Sequence, residues 1–215
     1  MKMDFSVIGK ASDGRVEGIA TISGGVYDNL KIDGVCTAKG DIEAKRLSID
    51  GTTTCEGAII CDELNCNGII TIRGNVKAGK IDIDGVATIG GEKVEADKIN
   101  CDGVITMEGE ISADEIFADG FINAREIVGD SITINSKYKS ILFKIFASKR
   151  IKKSRIQLIE ATTIMLRYTT AKTVSGKDIS IGPGCDIEHV DCSGTLKLDP
   201  TANVGELIGD YTKQD

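Results

Sequence analysis

An acidic or amide residue followed by glycine returns along this chain at nearly constant spacing, and that period limits the fold more than any other feature. The pairs are Glu17-Gly18, Asp33-Gly34, Asp50-Gly51, Asn67-Gly68, Asp84-Gly85, Asp102-Gly103 and Asp119-Gly120. Successive glycines lie 16, 17, 17, 17, 18 and 17 residues apart. A second glycine column follows six residues later, at Gly40, Gly57, Gly74, Gly91 and Gly109. Around these anchors run apolar columns. Leu30, Leu47, Leu64, Ile81, Ile99 and Ile116 form one; Ile32, Ile49, Cys66, Ile83, Cys101 and Ala118 form the next. Ile42, Ile59, Val76, Val94 and Ile111 make a third, beside a small-residue column of Ala44, Cys61, Ala78, Ala96 and Ala113.

Within a unit the apolar residues alternate, as in Leu30/Ile32 and Ile42/Ala44, and a period of two means strands. Asp-Gly and Asn-Gly mark the turns between them. A unit this short cannot bury its inner face alone, whereas stacked copies can. The expectation is therefore an all-β fold, a parallel β-helix solenoid of about 17 residues and three short strands per coil. Asp-Gly turns at a spacing of seventeen, rather than strict hexapeptides, favour the right-handed form. Thr37, Thr54, Thr71, Thr88 and Thr106 make an outward-looking column.

The paired pattern returns at Ile132/Ile134, Ile164/Leu166, Ile179/Ile181 and Leu196/Leu198. This divides the chain into an N-terminal tail or cap (1–17), a main repeat block (18–136), a basic insertion (137–155), a second block continuing the solenoid (156–208) and a tail (209–215). A separate small domain for the second block is the alternative. The composition suits a thin solenoid: 25 Gly, 2 Pro, no Trp and only 4% aromatic residues. No run of about eighteen apolar residues is present to cross a membrane as a helix.

The net charge of -7 hides an uneven distribution. Residues 137–155 hold eight basic residues and no acid; removing those eight from 26 leaves 18 against 33 acids. An acidic body argues against nucleic acid as partner, because phosphate binding needs a basic footprint. If residues 137–150 are helical, Tyr138, Ile141, Leu142, Ile145 and Phe146 fall within an arc of about 140°. With Lys149, Arg150, Lys152 and Lys153 alongside, this segment suits an anionic membrane surface or a recruited protein. A helix packed on the acidic rod and a loop are the alternatives. Seven cysteines, no CxxC pair and no secretory signal pattern lead us to expect free thiols in a reducing cytoplasm, peripheral at the membrane if the basic segment docks there.

Candidate chemistry is sparse. The Asp column, Asp33 to Asp119, reads either as a cation ladder or as side chains each capping its own turn. Cys61, Cys66 and Cys101 occupy aliphatic columns and read as small hydrophobes. Cys185, His189 and Cys192 form C-x3-H-x2-C, but strand alternation would split them between faces. No catalytic motif stands out, so neither catalytic residues nor a metal or other cofactor are expected, although a carboxylate-based, carbohydrate-active enzyme on a β-helix remains an alternative.

The stretch Gly24-Gly25-Val26-Tyr27-Asp28-Asn29-Leu30-Lys31-Ile32-Asp33-Gly34, with the coils after it, resembles the bactofilins, polymer-forming bacterial cytoskeletal proteins. The stretch Ile179-Ser180-Ile181-Gly182-Pro183-Gly184-Cys185-Asp186-Ile187 is similar to the C-terminal part of a longer, Firmicute-like subgroup. The resemblance covers most of the chain outside residues 137–155. It implies a right-handed β-helix that assembles end to end into filaments without a nucleotide. The basic insertion and second block depart from the family's single uninterrupted repeat. Exposed coil ends would make the contact, around Ile19 and Ile22 at one end and Leu196, Leu198, Val204 and Leu207 at the other. A membrane-docked scaffold that recruits partners without polymerising is the second functional reading.

Overall fold

The computed structural model describes residues 12–136 and 153–214. Among them every regular element is a strand, 20 in all, and these strands pair in parallel, giving a β-solenoid of about 11 turns. The first side of the coil is built by short strands: β2 (Ile19–Ile22), β4 (Val35–Ala38), β6 (Thr52–Cys55), β8 (Ile69–Ile72), β10 (Val86–Ile89) and β12 (Val104–Met107). Longer strands bend across the second and third sides: β3 (Gly25–Ile32), β5 (Ile42–Ile49), β7 (Ile59–Cys66), β9 (Val76–Ile83), β11 (Lys93–Cys101) and β13 (Glu110–Ala118). The opening strand is β1 (Ser12–Val16), paired with β3. The later turns are β14 (Phe121–Ile134), β15 (Ser154–Leu166), β16 (Thr169–Ile181), β17 (Asp186–Cys192), β18 (Thr195–Leu198), β19 (Asn203–Ile208) and β20 (Thr212–Gln214).

The bend is legible in burial. In β5, Ile42 and Ala44 point inward, Lys45 and Arg46 are exposed, and Leu47 and Ile49 point inward again. Two exposed residues in a row shift the alternation by one and turn the corner. Strand pairing then places like on like. Leu47 pairs with Leu30 and Leu64, and Ala78 with Cys61 and Ala96. One interior void, lined by Leu64, Ile72, Ile81 and Ile99 among others, measures about 10 Å³, no larger than a water needs.

The Asp-Gly corner is glycine for a reason other than turn geometry. A Cβ on Gly51, Gly68, Gly85, Gly103 or Gly120 would lie 1.9–2.0 Å from the carbonyl oxygen of the corner glycine one coil before. None of these has a positive φ. The corners stack backbone on backbone: Asp50 and Gly51 both donate from nitrogen to the Ile32 carbonyl, and Thr52 N donates to Gly34 O at 2.9 Å.

The solenoid runs through the insertion. β14 pairs with β15 from Asn123↔Arg155 to Ile134↔Leu166, so the ladder closes behind residues 137–152 and the two blocks form one stack. Ser136 takes the corner position with φ 42°, and its hydroxyl meets that of Ser154 at 2.7 Å in a buried contact. Ser154 Oγ also accepts from Ile122 N. Strands extend beyond the bounds drawn from the repeat alone. β1 lies within 1–17, β20 within 209–215, and Ser154 and Arg155 already belong to β15. The later coils shorten, with 16 residues from Glu110 to Glu126 and 15 from Ser154 to Thr169. Their strands run on through the second corner without a glycine turn.

Two outcomes follow for stability. Gly68→Ala should cost about 3 kcal/mol by overpacking one corner on the next, whereas Gly18→Ala, with nothing within 4 Å of its Cβ, should stay within about 0.5 kcal/mol, both read from denaturant midpoints. Thr53 points inward, paired with Cys36 and Ile70, and its buried hydroxyl has no hydrogen-bond partner. Thr53→Val should therefore raise stability by about 1 kcal/mol in the same assay.

Candidate assembly surfaces and the acidic column

The residues expected at the coil ends fall into different places. Leu196 is fully buried, paired with Ile179 one turn inside the C-terminal end. Leu198 and Val204 are half-buried inner-column residues, paired with Ile181 and Ile187. Leu207 continues the inner column of Val174 and Val190 but is 37% exposed, because it lies in the last turn. At the other end Ile22 pairs with Ala38 in an inner column, while Ile19 pairs with Val35 and is 90% exposed, pointing sideways. The C-terminal edge is thus Val204 and Leu207, with Ile208 exposed beside them. Among the described residues, β19 pairs only with β17 and β20 only with β18, which leaves one edge of each without a partner strand.

One residue at this edge escaped the sequence reading. Lys213 pairs with Leu196 and so stands in the aliphatic column of the last turn. Adding the period to Leu196 would have found it. The aliphatic column of Ile179 and Leu196 therefore ends on a charge, while the columns of Val204 and Leu207 end on apolar side chains.

The acidic column is a coil-to-coil network. Asn67 Nδ2 donates to Asp50 Oδ1 at 2.8 Å, and Asn135 Nδ2 donates to Asp119 Oδ1 at 2.8 Å. Lys31 lies 3.1 Å from Asp33 and 3.5 Å from Asp50. The hydrogen bond from Asn67, then Lys31, holds the Asp50 carboxyl below the usual carboxylate range. The expected own-turn caps are replaced here by bonds between turns. Beside the column runs an open trough of about 730 Å³, lined by Lys31, Asn65, Asp82, Asn100 and Phe117 among others. No group of three or more His, Cys, Asp or Glu suited to a metal occurs among the described residues.

All seven cysteines are free and buried. Burial pushes the thiols of Cys61, Cys66 and Cys101 up to about 12 and raises those of Cys36, Cys55 and Cys185. A thiolate is the nucleophile, so these sulfurs serve packing. Cys185 and Cys192 point inward, whereas His189 is exposed, 2.8 Å from Glu206 on the next turn. The three do not converge. Ile141, Leu142, Ile145, Phe146, Lys149, Arg150 and Lys152 lie outside the described residues, and Lys153 is half-buried just before β15.

No family model and no solved structure matches the chain. An uncharacterized protein of Bacillus subtilis strain 168, YhbE, is 50% identical over 48 residues, 22% of this chain and 20% of that protein. A second from the same organism, the uncharacterized protein YhbF, is 30% identical over 84 residues, 39% of this chain and 33% of that protein. The chain thus covers between a fifth and a third of the relatives it matches.

Asn67→Asp removes the donor to Asp50 and joins Asp33 and Asp50 to Asp84, Asp102 and Asp119 in one unbroken column of six carboxylates, adding two neighbouring pairs that each repel by about 1 kcal/mol in water. The loss should appear at neutral pH and shrink in high salt. Crowded carboxylates have raised folded pKa values, so the deficit of the variant should fade as pH falls through them. In the parent protein Asp50, lowered when folded, stabilises above its unfolded pKa and loses that contribution as pH falls through the folded value. Thermal melts of both proteins across pH check these opposite signs.

Proposed function

We propose that the protein is a structural scaffold that assembles end to end through the last turns of its solenoid, without a nucleotide. The observation that carries this reading is the unbroken ladder from β1 to β20, ending in strand edges without a partner among the described residues. An incoming copy could extend that ladder, covering Val204 and Leu207 as the next turn covers their equivalents inside the rod. A heterologous contact of this kind repeats into an open filament. The bactofilin-like texture of the repeat supports the same reading. So does the interior, where inward positions are given to packing and the thiols are buried.

Negative-stain microscopy of the purified chain should show filaments one solenoid wide. Leu207→Glu puts a carboxylate where the next copy must seat. It should shorten or abolish the filaments while leaving the β-sheet circular dichroism unchanged. Uniform monomers of the parent protein across salt and concentration would sink the proposal.

A further inference from the structure

Along the third side the outward residues of six successive turns, Lys31, Ser48, Asn65, Asp82, Asn100 and Phe117, pair into one row. Beside that row stands the corner column of Asp50, Asn67, Asp84 and Asp102, and the two together line the open trough of about 730 Å³. Six turns make five strand spacings, so the trough is about 24 Å long. Its polar groups are not used up by the fold. Among the described residues, the side chains of Ser48, Asn65, Asp84 and Asp102 have no hydrogen-bond or ion-pair partner. Asn67 and Asn100 each give one N–H, to Asp50 and Asp82, and keep a second N–H and a carbonyl oxygen. At the far end the ring of Phe117 is 41% exposed. An aromatic face with amides, a hydroxyl and carboxylates converging on one groove has the make-up of a ligand site.

We infer that this trough binds an elongated, uncharged, β-1,4-linked glycan. The pitch selects a chain whose repeat matches one turn. Pyranose rings joined in this way recur at close to the spacing of neighbouring strands, so successive rings meet successive turns. An extended peptide along the same row would place its same-face side chains about 6.8 Å apart and drift out of step with turns about 4.8 Å apart. The polar groups select hydroxyls. A planar carboxylate or amide bridges two neighbouring hydroxyls, and Asp84 and Asp102 offer acceptors to such donors. The charge is partly answered already, since Asp82 lies 2.6 Å from Lys80 and Asp50 lies 3.5 Å from Lys31. The face of the Phe117 ring, negative at its centre, suits the C–H face of a pyranose. Nucleic acid would meet repulsion from the carboxylates.

The trough is open, so a single ring is held weakly. A chain several rings long gathers one set of contacts per turn, and its binding becomes cumulative. The trough lies on the flank of the solenoid, in the turns from Lys31 to Phe117, away from the edge formed by Val204 and Leu207. It stays open in a rod joined end to end, and binding does not depend on that assembly.

Isothermal titration of the full chain with hexamers of β-1,4-linked glucose, mannose and xylose tests this. At least one hexamer should bind. Phe117→Ala and Asn65→Ala, at side chains that the core does not use, should each weaken that binding about fivefold to tenfold. Ile60→Ala removes a comparably exposed apolar side chain from the second side and should leave it unchanged. No binding of any of the three hexamers at millimolar concentration would overturn the inference. So would binding that both trough variants leave intact. Hexalysine that binds more tightly than every hexamer, and loses that binding in both trough variants, would make the trough a site for cations and overturn it as well. Leu207→Glu should bind the glycan as the parent protein does, so loss of filaments and loss of glycan binding are separable results.

Discussion

Every turn of this molecule lies one strand spacing, about 4.8 Å, from its neighbours, in parallel and in register, so each residue is packed against its own equivalent. A side chain that suits a position must tolerate a copy of itself above and below. Aliphatic chains meet that demand by stacking into columns, as Leu30, Leu47 and Leu64 do. At the Asp-Gly corner the backbones themselves come too close for any Cβ. The same spacing explains the near absence of proline, which would leave an unmade ladder bond in a stack with neighbours on both sides.

Charge is the hardest case under this rule, because like charges stacked at that distance repel. The chain answers partly by alternation, although Lys80 stands directly beside Lys98. Arg46 meets Glu63, Lys77 meets Glu95, and Lys98 meets Glu115, each pair one turn apart. In the acidic column an amide serves where a cation does not, with Asn67 between Asp50 and Asp84. These pairs are exposed, and solvent screens each of them to a small net contribution. Their effect is to remove a penalty that would otherwise accumulate with every turn.

The architecture was legible in the sequence because the period and the alternation are direct imprints of stacking. Leu30/Ile32 and Ile42/Ala44 announce inner positions on their own. Less was visible where a residue type has two physical reasons to occur. Glycine after Asp reads as turn chemistry, yet Gly51 and Gly68 are fixed by the carbonyl of the preceding turn. The column of Asp side chains suggested local caps, and the bonds run between turns instead. Edges were least legible. Leu196 matches the inner pattern as well as Leu207 does, and only the number of turns stacked beyond each decides which is buried.

The clasp between Ser136 and Ser154 decouples the length of the chain from the geometry of the rod. Because the ladder resumes as though nothing intervened, the corner after Ser136 is a permissive graft point. The ladder keeps its register across residues 137–152. A stack of about 11 turns measures roughly 50 Å. In an end-to-end array, the appendage would therefore recur at that interval along one corner, like marks on a ruler. Its sequence would be free to drift while its placement stayed fixed by the solenoid.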